Sequence, residues 1–107
     1  MGRDRIITIL RSNAAQIRAA GVIALYLYGS ASTDRLRENS DIDLFADVDY
    51  DRFGFVSYMR LRELFSQLLE KPVDFTTRSA LHPDLKSSIE MSAVKVFDES
   101  FGTVAAE

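Results

Sequence analysis

A run of seven apolar residues, Val22–Tyr28, constrains the fold of this chain more than any other feature of its sequence. Because neither side of the run carries a charged position, it predicts a strand that is buried on both faces and lies inside a sheet. Gly29 and Ser30 follow it at once, and such a pair is typical of an abrupt turn. The chain is therefore expected to build a sheet around this central strand.

The next strand differs because it alternates between two kinds of residue. Residues 41–48 alternate between two sets of positions. One set is entirely apolar: Ile42, Leu44, Ala46 and Val48. The other set contains three aspartates and one phenylalanine: Asp41, Asp43, Phe45 and Asp47. A period of two predicts a strand with one buried face and one acidic face. The connection between the two strands is too short for a crossover helix, so we expect them to be antiparallel.

Helices and two short strands complete the predicted architecture. Helical spacing of apolar residues predicts one helix ending at Ala20 and a second over residues 55–70, and Pro83 is suited to the first turn of a third. Val73–Thr77 and Val94–Phe97 are predicted as strands, the latter at an edge of the sheet. The predicted fold class is α+β, a mixed sheet of three to four strands backed by helices.

Length, charge and composition exclude several classes of protein. At 107 residues the chain is expected to form one domain, 1–107, with residues 98–107 fraying as a tail. The chain has no cysteine, which excludes disulfides and thiol chemistry, and its net charge of -3 argues against sequence-specific DNA binding. Its apolar runs are far shorter than the ~20 residues that cross a membrane, so we expect a cytoplasmic protein with no membrane role.

Two aspartates of the alternating strand are candidate metal ligands. A spacing of two places the carboxylates of Asp41 and Asp43 on one face, roughly 6–7 Å apart, where they repel by about 3 kcal/mol at an effective dielectric of 20. A divalent cation such as Mg²⁺, which prefers oxygen ligands, would convert that repulsion into binding. If the strand that carries Asp74 lies alongside, three carboxylates converge and two ions could clamp an in-line displacement.

Gly29 and Ser30 are candidate phosphate contacts. A glycine lets the backbone approach a phosphate closely, and the serine offers both its N–H and its hydroxyl. A short helix expected over residues 31–36 would direct its positive end toward the same phosphates.

Simpler interpretations of the same residues stay open. Asp47, Asp49 and Asp51 also follow a spacing of two, and an acidic strand face can be merely solvated. His82 is the single histidine and precedes Pro83, so a place at the start of a helix is a simpler interpretation than catalysis.

Taken together, these motifs resemble the minimal nucleotidyltransferases of the DNA polymerase beta-like superfamily. Their pattern is a Gly-Ser turn, an Asp-x-Asp strand twelve residues after the glycine, and a further aspartate on a following strand, which Gly29, Asp41 and Asp74 match in this chain. The resemblance implies the nucleotidyltransferase fold and the transfer of a nucleoside monophosphate from an NTP, ATP foremost, to a hydroxyl. It implies Asp41, Asp43 and Asp74 as catalytic residues and ligands of two Mg²⁺ ions, or Mn²⁺, and Gly29 and Ser30 as nucleotide-binding residues.

The resemblance also implies a partner. Many minimal nucleotidyltransferases are antitoxins beside a helical HEPN-domain toxin, and some adenylylate a tyrosine on it. A HEPN-type protein, or a second copy of the chain in a homo-oligomer, is thus expected to present the acceptor.

One departure from the family's pattern favours a rival function. Ser32, Thr33 and Asp34 stand where relatives often have Ala-Arg-Gly, so an arginine that could meet phosphate is missing, and Arg35 and Arg37 are the nearby candidates to replace it. The rival is an antitoxin that neutralises its partner by contact without catalysis.

Overall fold

Four strands and four α-helices form the part of the chain that the computed structural model describes, residues 2–33 and 41–101. In chain order the elements are α1 (Arg3–Ser12), α2 (Ala14–Ala19), β1 (Val22–Tyr28), a first 3₁₀ helix (Gly29–Thr33), β2 (Ile42–Val48), α3 (Phe55–Leu69), β3 (Val73–Thr77), a second 3₁₀ helix (Arg78–Ala80), α4 (Pro83–Ser92) and β4 (Val94–Phe97). None of the helices in the described ranges combines the length and the apolar character needed to cross a bilayer.

The sheet has the strand order β3-β2-β1-β4. β1 pairs antiparallel with both β2 and β4, whereas β2 and β3 are parallel. The predicted mixed sheet, the interior position of β1 and the edge position of β4 are therefore confirmed, as is the α+β class. The parallel pair brings Asp43 of β2 into register with Asp74 of β3.

The hydrophobic core fills one face of the sheet. Leu25, Leu27, Ile42 and Leu44 are fully buried there, together with side chains from α1, α2 and α3. Phe75 of β3 belongs to the same core and meets Phe65 of α3 edge to face, with ring centroids 5.1 Å apart. Such burial of apolar area is the main stabilising contribution to a fold of this size.

The helix that was expected to run to Ala20 is interrupted at Asn13. The side-chain amide of Asn13 donates to the carbonyl of Ile9 at 2.8 Å, and its backbone, at φ -113° and ψ 18°, leaves the helical region. Asparagine side chains compete in this way with helical hydrogen bonds. The prediction of one continuous helix was wrong at this residue, although both pieces bury their apolar stripe.

The second face of β2 is also partly covered, which the alternating pattern did not predict. Phe45 lies on this face and yet has 0% exposure, because Tyr26 stacks on it at 4.8 Å and the guanidinium of Arg78 lies 5.0 Å from its ring centroid. Arg78 also lies 4.9 Å from the ring centroid of Tyr26. An arginine can cover aromatic faces while keeping its charge paired at their edge.

The first residues of the expected tail are held by contacts rather than frayed. Arg18 donates to the carbonyl oxygens of Asp98 and Phe101, each at 2.6 Å, and the ring of Phe101 lies 6.1 Å from that of Phe97. The rest of the expected tail, residues 102–107, lies outside the described residues.

Candidate active site

The turn after β1 requires a glycine for two independent reasons. Gly29 has φ +71°, a conformation that other residues adopt only with strain. A Cβ at this position would also collide with Oδ2 of Asp43 and lie 3.3 Å from its Cγ. The glycine therefore lets the Asp43 carboxylate lie directly against the backbone of the turn.

Two residues hold this turn in place, in roles that the sequence did not predict. The hydroxyl of Ser32 donates to the carbonyl of Gly29 at 2.7 Å, and Arg3 of α1 donates from Nη1 to the carbonyl of Ser32 at 3.1 Å. Ser32 is buried. The only local signal was a serine within a turn, since the partner of Ser32 in α1 lies far away in the sequence.

The helix expected over residues 31–36 lies only partly within the described residues. The observed segment is a single 3₁₀ helix of five residues that starts at Gly29 itself. Asp34, Arg35 and Arg37 lie outside the described residues. Candidate phosphate contacts are thus limited here to Gly29 and Ser30.

Asp43 of β2 and Asp74 of β3 lie side by side, which the sequence left conditional on the pairing of their strands. The parallel register places Asp43 directly beside Asp74, and the antiparallel register places Tyr28 of β1 on its other side. Asp41 precedes β2 by one residue and is exposed, as is Asp74, whereas Asp43 is half-buried. Asp43 is therefore the centre of the group and the member with least access to water.

This placement changes the acidity of two groups. Desolvation, then Asp74 and then Asp41 raise the pKa of Asp43 to about 6. Desolvation followed by the charges of Asp43 and Asp74 raises the pKa of Tyr28 to about 12. Such shifts arise where burial and like charge act together, and they frequently mark functional sites.

The three aspartates are neighbours rather than a preformed metal cage. Within residues 2–33 and 41–101, no group of three or more aspartate, glutamate or histidine side chains is arranged to hold a metal ion. The charges of Asp41 and Asp74 nevertheless act on Asp43, and carboxylate oxygens are the ligands that Mg²⁺ prefers. The donor chemistry fits a divalent cation, and the assignment of these residues as its ligands stays a prediction.

An open cleft of about 370 Å³ starts at these carboxylates and extends under α4. Its lining combines the polar floor of the sheet with an apolar wall: Tyr28, Asp43, Asp74, Thr76, Ala80, Leu81, His82, Leu85 and Ile89. Among the described residues, those that line it include no lysine or arginine. The cleft is thus acidic at one end and apolar along the other side.

His82 occupies the helix start that the sequence favoured for it. It is the N-cap residue of α4, and its Nδ1 accepts a hydrogen bond from the backbone N–H of Asp84 at 3.1 Å. A neutral imidazole that accepts at Nδ1 carries its proton on Nε2. His82 therefore contributes an N–H donor to the rim of the cleft in addition to capping the helix.

The other aspartates with a spacing of two, Asp47, Asp49 and Asp51, make structural contacts outside the candidate site. Asp47 receives two hydrogen bonds from Arg78, at 2.6 and 3.0 Å, and Asp49 accepts the backbone N–H of Asp51 at 3.0 Å within a turn. Arg78 also donates to Glu90 of α4 at 2.6 Å. Of the three pairs with a spacing of two, only Asp41 and Asp43 lie beside the glycine turn.

The glycine turn lies against Asp43, and Asp43 lies in register with Asp74, which is the arrangement expected of a nucleotidyltransferase from the resemblance. The family model for polymerase beta nucleotidyltransferases matches residues 5–101, so the chain belongs to this family. A candidate protein adenylyltransferase of Methanocaldococcus jannaschii, MJ0126, is 30% identical over 90 residues, which cover 82% of this chain and 91% of that protein.

Solved structures agree with this fold. A structure described as a minimal nucleotidyltransferase superposes with a TM-score of 0.77 at 21% identity, covering 88% of this chain and 95% of its own. A toxin–antitoxin complex with AMP-PNP gives 0.66 at 21% identity, covering 92% and 74%. A complex of a tri-AMPylated HEPN toxin of Shewanella oneidensis with its MNT antitoxin gives 0.58 at 18% identity, covering 96% and 75%. At these identities the likeness shows the fold alone.

Proposed function

We propose that this protein transfers a nucleoside monophosphate from an NTP, ATP foremost, to a hydroxyl on a protein partner. Family membership supports the class of reaction. The observation that carries the proposal is the register of β2 and β3, which sets Asp43 beside Asp74 while Gly29 holds the turn against the same carboxylate.

Asp41, Asp43 and Asp74 would hold Mg²⁺, two ions in the complete site or Mn²⁺ in its place, and the cation would neutralise the charge of the triphosphate. Oxygen ligands suit these ions. Desolvation, and then the charges of Asp74 and Asp41, raise the pKa of Asp43, and a bound cation would favour its ionised form. The backbone of Gly29 and the hydroxyl and N–H of Ser30 would orient the phosphates.

The reaction balances with the residues at hand. The acceptor oxygen forms a bond to the α-phosphorus, the bond from that phosphorus to the pyrophosphate oxygen breaks, and pyrophosphate leaves. Asp74, which is exposed at the cleft, takes the proton of the acceptor hydroxyl. Binding both reactants in one cleft supplies the proximity that such a displacement needs.

The acceptor is, in this proposal, a tyrosine of a HEPN-type toxin, and the protein acts as its antitoxin in the cytoplasm. The supporting comparison is the related fold of an MNT antitoxin bound to an AMPylated HEPN toxin. The candidate adenylyltransferase of M. jannaschii points to the same substrate class.

The test is label transfer by the purified protein, with the proteins that co-purify with it, from each α-labelled NTP in the presence of Mg²⁺. We expect label on a protein, pyrophosphate release, and loss of both after Asp41→Ala, Asp43→Ala or removal of the metal by a chelator. Asp51→Ala is the matched control, because Asp51 is an exposed turn aspartate outside the cleft, and it should keep the activity. Transfer that persists in both site variants would contradict the residue assignment.

The second candidate is an antitoxin that neutralises its partner by contact. The absence of an arginine at Thr33 and the acidic Asp34 after it favour this alternative. It predicts that Asp43→Ala still protects cells from the partner toxin, whereas the transferase proposal predicts that protection is lost.

A further inference from the structure

We propose that Ser32 is a positioning residue for nucleotide binding: its hydroxyl holds the Gly29 carbonyl and thereby fixes the direction in which the Ser30 N–H meets a phosphate. The inference rests on the proposed function and deepens it, because it names the group that orients a donor of the candidate site. Arg3 acts one step further back, through Ser32.

The geometry of a peptide bond links the Gly29 carbonyl to the Ser30 N–H. The two groups belong to one planar unit, and the described residues contain no cis peptide bond, so the N–H points away from the carbonyl oxygen. The hydroxyl of Ser32 donates to that oxygen at 2.7 Å. A bond on the carbonyl side therefore sets the orientation of the N–H on the opposite side.

This peptide needs such a bond because it follows a glycine. Gly29 has φ +71°, and a residue without a Cβ tolerates more backbone conformations than any other. The Asp43 carboxylate lies against the same glycine, so a rotation here would shift the Ser30 N–H relative to a candidate metal ligand. The hydroxyl of Ser32 restricts that rotation from within the turn.

Burial strengthens the hydrogen bond between Ser32 and Gly29. Ser32 is 4% exposed, so water has little access to its hydroxyl. A hydrogen bond in such surroundings is stronger than the same bond in water, and a buried carbonyl that loses its donor is not simply rehydrated. Removal of the hydroxyl should therefore loosen the Gly29 carbonyl rather than exchange one partner for another.

Arg3 connects the backbone of Ser32 to a rigid part of the fold. Its Nη1 donates to the Ser32 carbonyl at 3.1 Å, and α1 is fixed in the core by Ile6 and Leu10, which are both 0% exposed. The serine is thus held at its carbonyl by a helix, and it holds the glycine with its hydroxyl. Ser32 supplies the direct contact, and Arg3 acts only through it.

The first measurement is the binding of magnesium tripolyphosphate, which contains linked phosphates without the base or the acceptor. Ser32→Ala removes a single oxygen, and we expect its Kd for this probe to rise about fivefold, the effect of one hydrogen bond. Ser12→Ala is the matched control, because the Ser12 hydroxyl donates to the Thr8 carbonyl at 2.8 Å outside the candidate site, and it should leave the Kd unchanged. Equal Kd values for Ser32→Ala and the unmodified protein would overturn the inference.

The second measurement separates orientation of the N–H from general support of the fold. In isotopically labelled protein, saturating magnesium tripolyphosphate should shift the Ser30 amide resonance in the unmodified protein and in Ser12→Ala, and shift it by a smaller amount in Ser32→Ala. A merely structural role would lower the free energy of unfolding of Ser32→Ala, measured with urea, and leave the Kd and the Ser30 shift of the folded molecules unchanged. That result would refute the positioning role.

The third measurement tests whether Arg3 acts through Ser32. Arg3→Met should raise the Kd of magnesium tripolyphosphate, whereas Arg5→Met, which removes the same charge at an exposed residue of the same helix, should not. The double variant Arg3→Met/Ser32→Ala should bind no worse than Ser32→Ala alone, since both changes break one chain of contacts. Losses that add in full would contradict the assignment of Arg3 as acting through Ser32.

The outcomes separate this inference from the proposed function. When both hold, Ser32→Ala has an about fivefold higher KM for ATP, with kcat and the KM for the acceptor unchanged. If the unmodified protein transfers label from an NTP and Ser32→Ala binds magnesium tripolyphosphate equally well, the positioning role is wrong and the transferase function stands. If the unmodified protein neither binds this probe nor consumes an NTP, the transferase function is wrong, and the positioning role falls with it.

Discussion

Asp43 and Asp47 lie four residues apart on the same face of β2, yet their surroundings have opposite effects on their negative charges. At Asp47 the chain supplies its own cation, because Arg78 makes two hydrogen bonds to it and a third to Glu90. At Asp43, desolvation, Asp74 and Asp41 all disfavour the ionised form. One end of the acidic face is thus satisfied by the fold, and the other is suited to a cation from outside.

The difference shows how a strand face can combine structure and function. The Arg78 end fastens α4 to the sheet and covers Phe45, which fixes one wall of the cleft. The Asp43 end keeps three carboxylates close together, at a cost to stability that a bound cation would offset. Each end can be altered separately, so the contrast can be tested.

The largest expected change in stability is at Arg78, which pairs with Asp47 and Glu90. Arg78→Ala leaves two half-buried carboxylates without their partner and uncovers two aromatic rings, so we expect the free energy of unfolding to fall by about 3 kcal/mol. Urea denaturation measures it, and Arg62→Ala, at an exposed arginine of α3, is the control, with a change below about 0.5 kcal/mol. An equal loss in the two variants would mean that Arg78 has no special role.

A smaller loss is expected where the turn meets Asp43. Gly29→Ala places a Cβ at φ +71° and against Oδ2 of Asp43, so we expect a loss of about 2 kcal/mol of stability together with displacement of the carboxylate and loss of transfer. Gly54→Ser is the control, since a Cβ at Gly54 meets nothing within 4 Å. Full activity in Gly29→Ala would show that the carboxylate need not lie against the turn.

The smallest expected effect is a gain in stability, and it is expected at Asp43. The folded pKa of Asp43 is raised from 3.8 to about 6, so the fold favours the protonated acid and loses stability as the pH rises between those values. Asp43→Asn should therefore stabilise the protein at pH 7 by about 1 kcal/mol, after allowance for solvent screening, and leave it unchanged near pH 3.5.

Urea denaturation at the two pH values measures this gain. Mg²⁺ should then stabilise the unmodified protein more than the variant, because the ion binds only the folded carboxylates. If Asp43→Asn is less stable than the unmodified protein at pH 7, the ionised Asp43 carboxylate does not destabilise the fold, which would contradict this prediction.

The sequence was sufficient for those parts of the fold that depend on local pattern. The run Val22–Tyr28 and the alternation around Asp43 specify strands because side-chain periodicity acts within a few residues. The sequence left the approach of Asp74 to Asp43 conditional, because the pairing of their strands is a contact between distant residues. The sequence thus named the carboxylates and the glycine of the candidate site, and their roles stay predictions.

What could not be foreseen depends on contacts between distant residues. Burial of Phe45 needs Arg78, which lies more than thirty positions away, and the hydrogen bond from Arg3 to Ser32 spans a similar distance. The interruption at Asn13 is local, but its side chain competes with the helical backbone hydrogen bonds, and the two alternatives differ little in free energy. Apolar periodicity carries no signal for any of these.

The parallel pairing of β2 with β3 also decides when the site can exist. β1 and β2 are close in sequence and can meet early in folding, but Asp74 reaches Asp43 only after α3 has been placed across the core, and the cleft wall follows later still with α4. During synthesis the chain therefore passes through states that hold the glycine turn and Asp43 without the third carboxylate or the cleft. The candidate site should therefore be complete only late in folding, once β3 and α4 are in place.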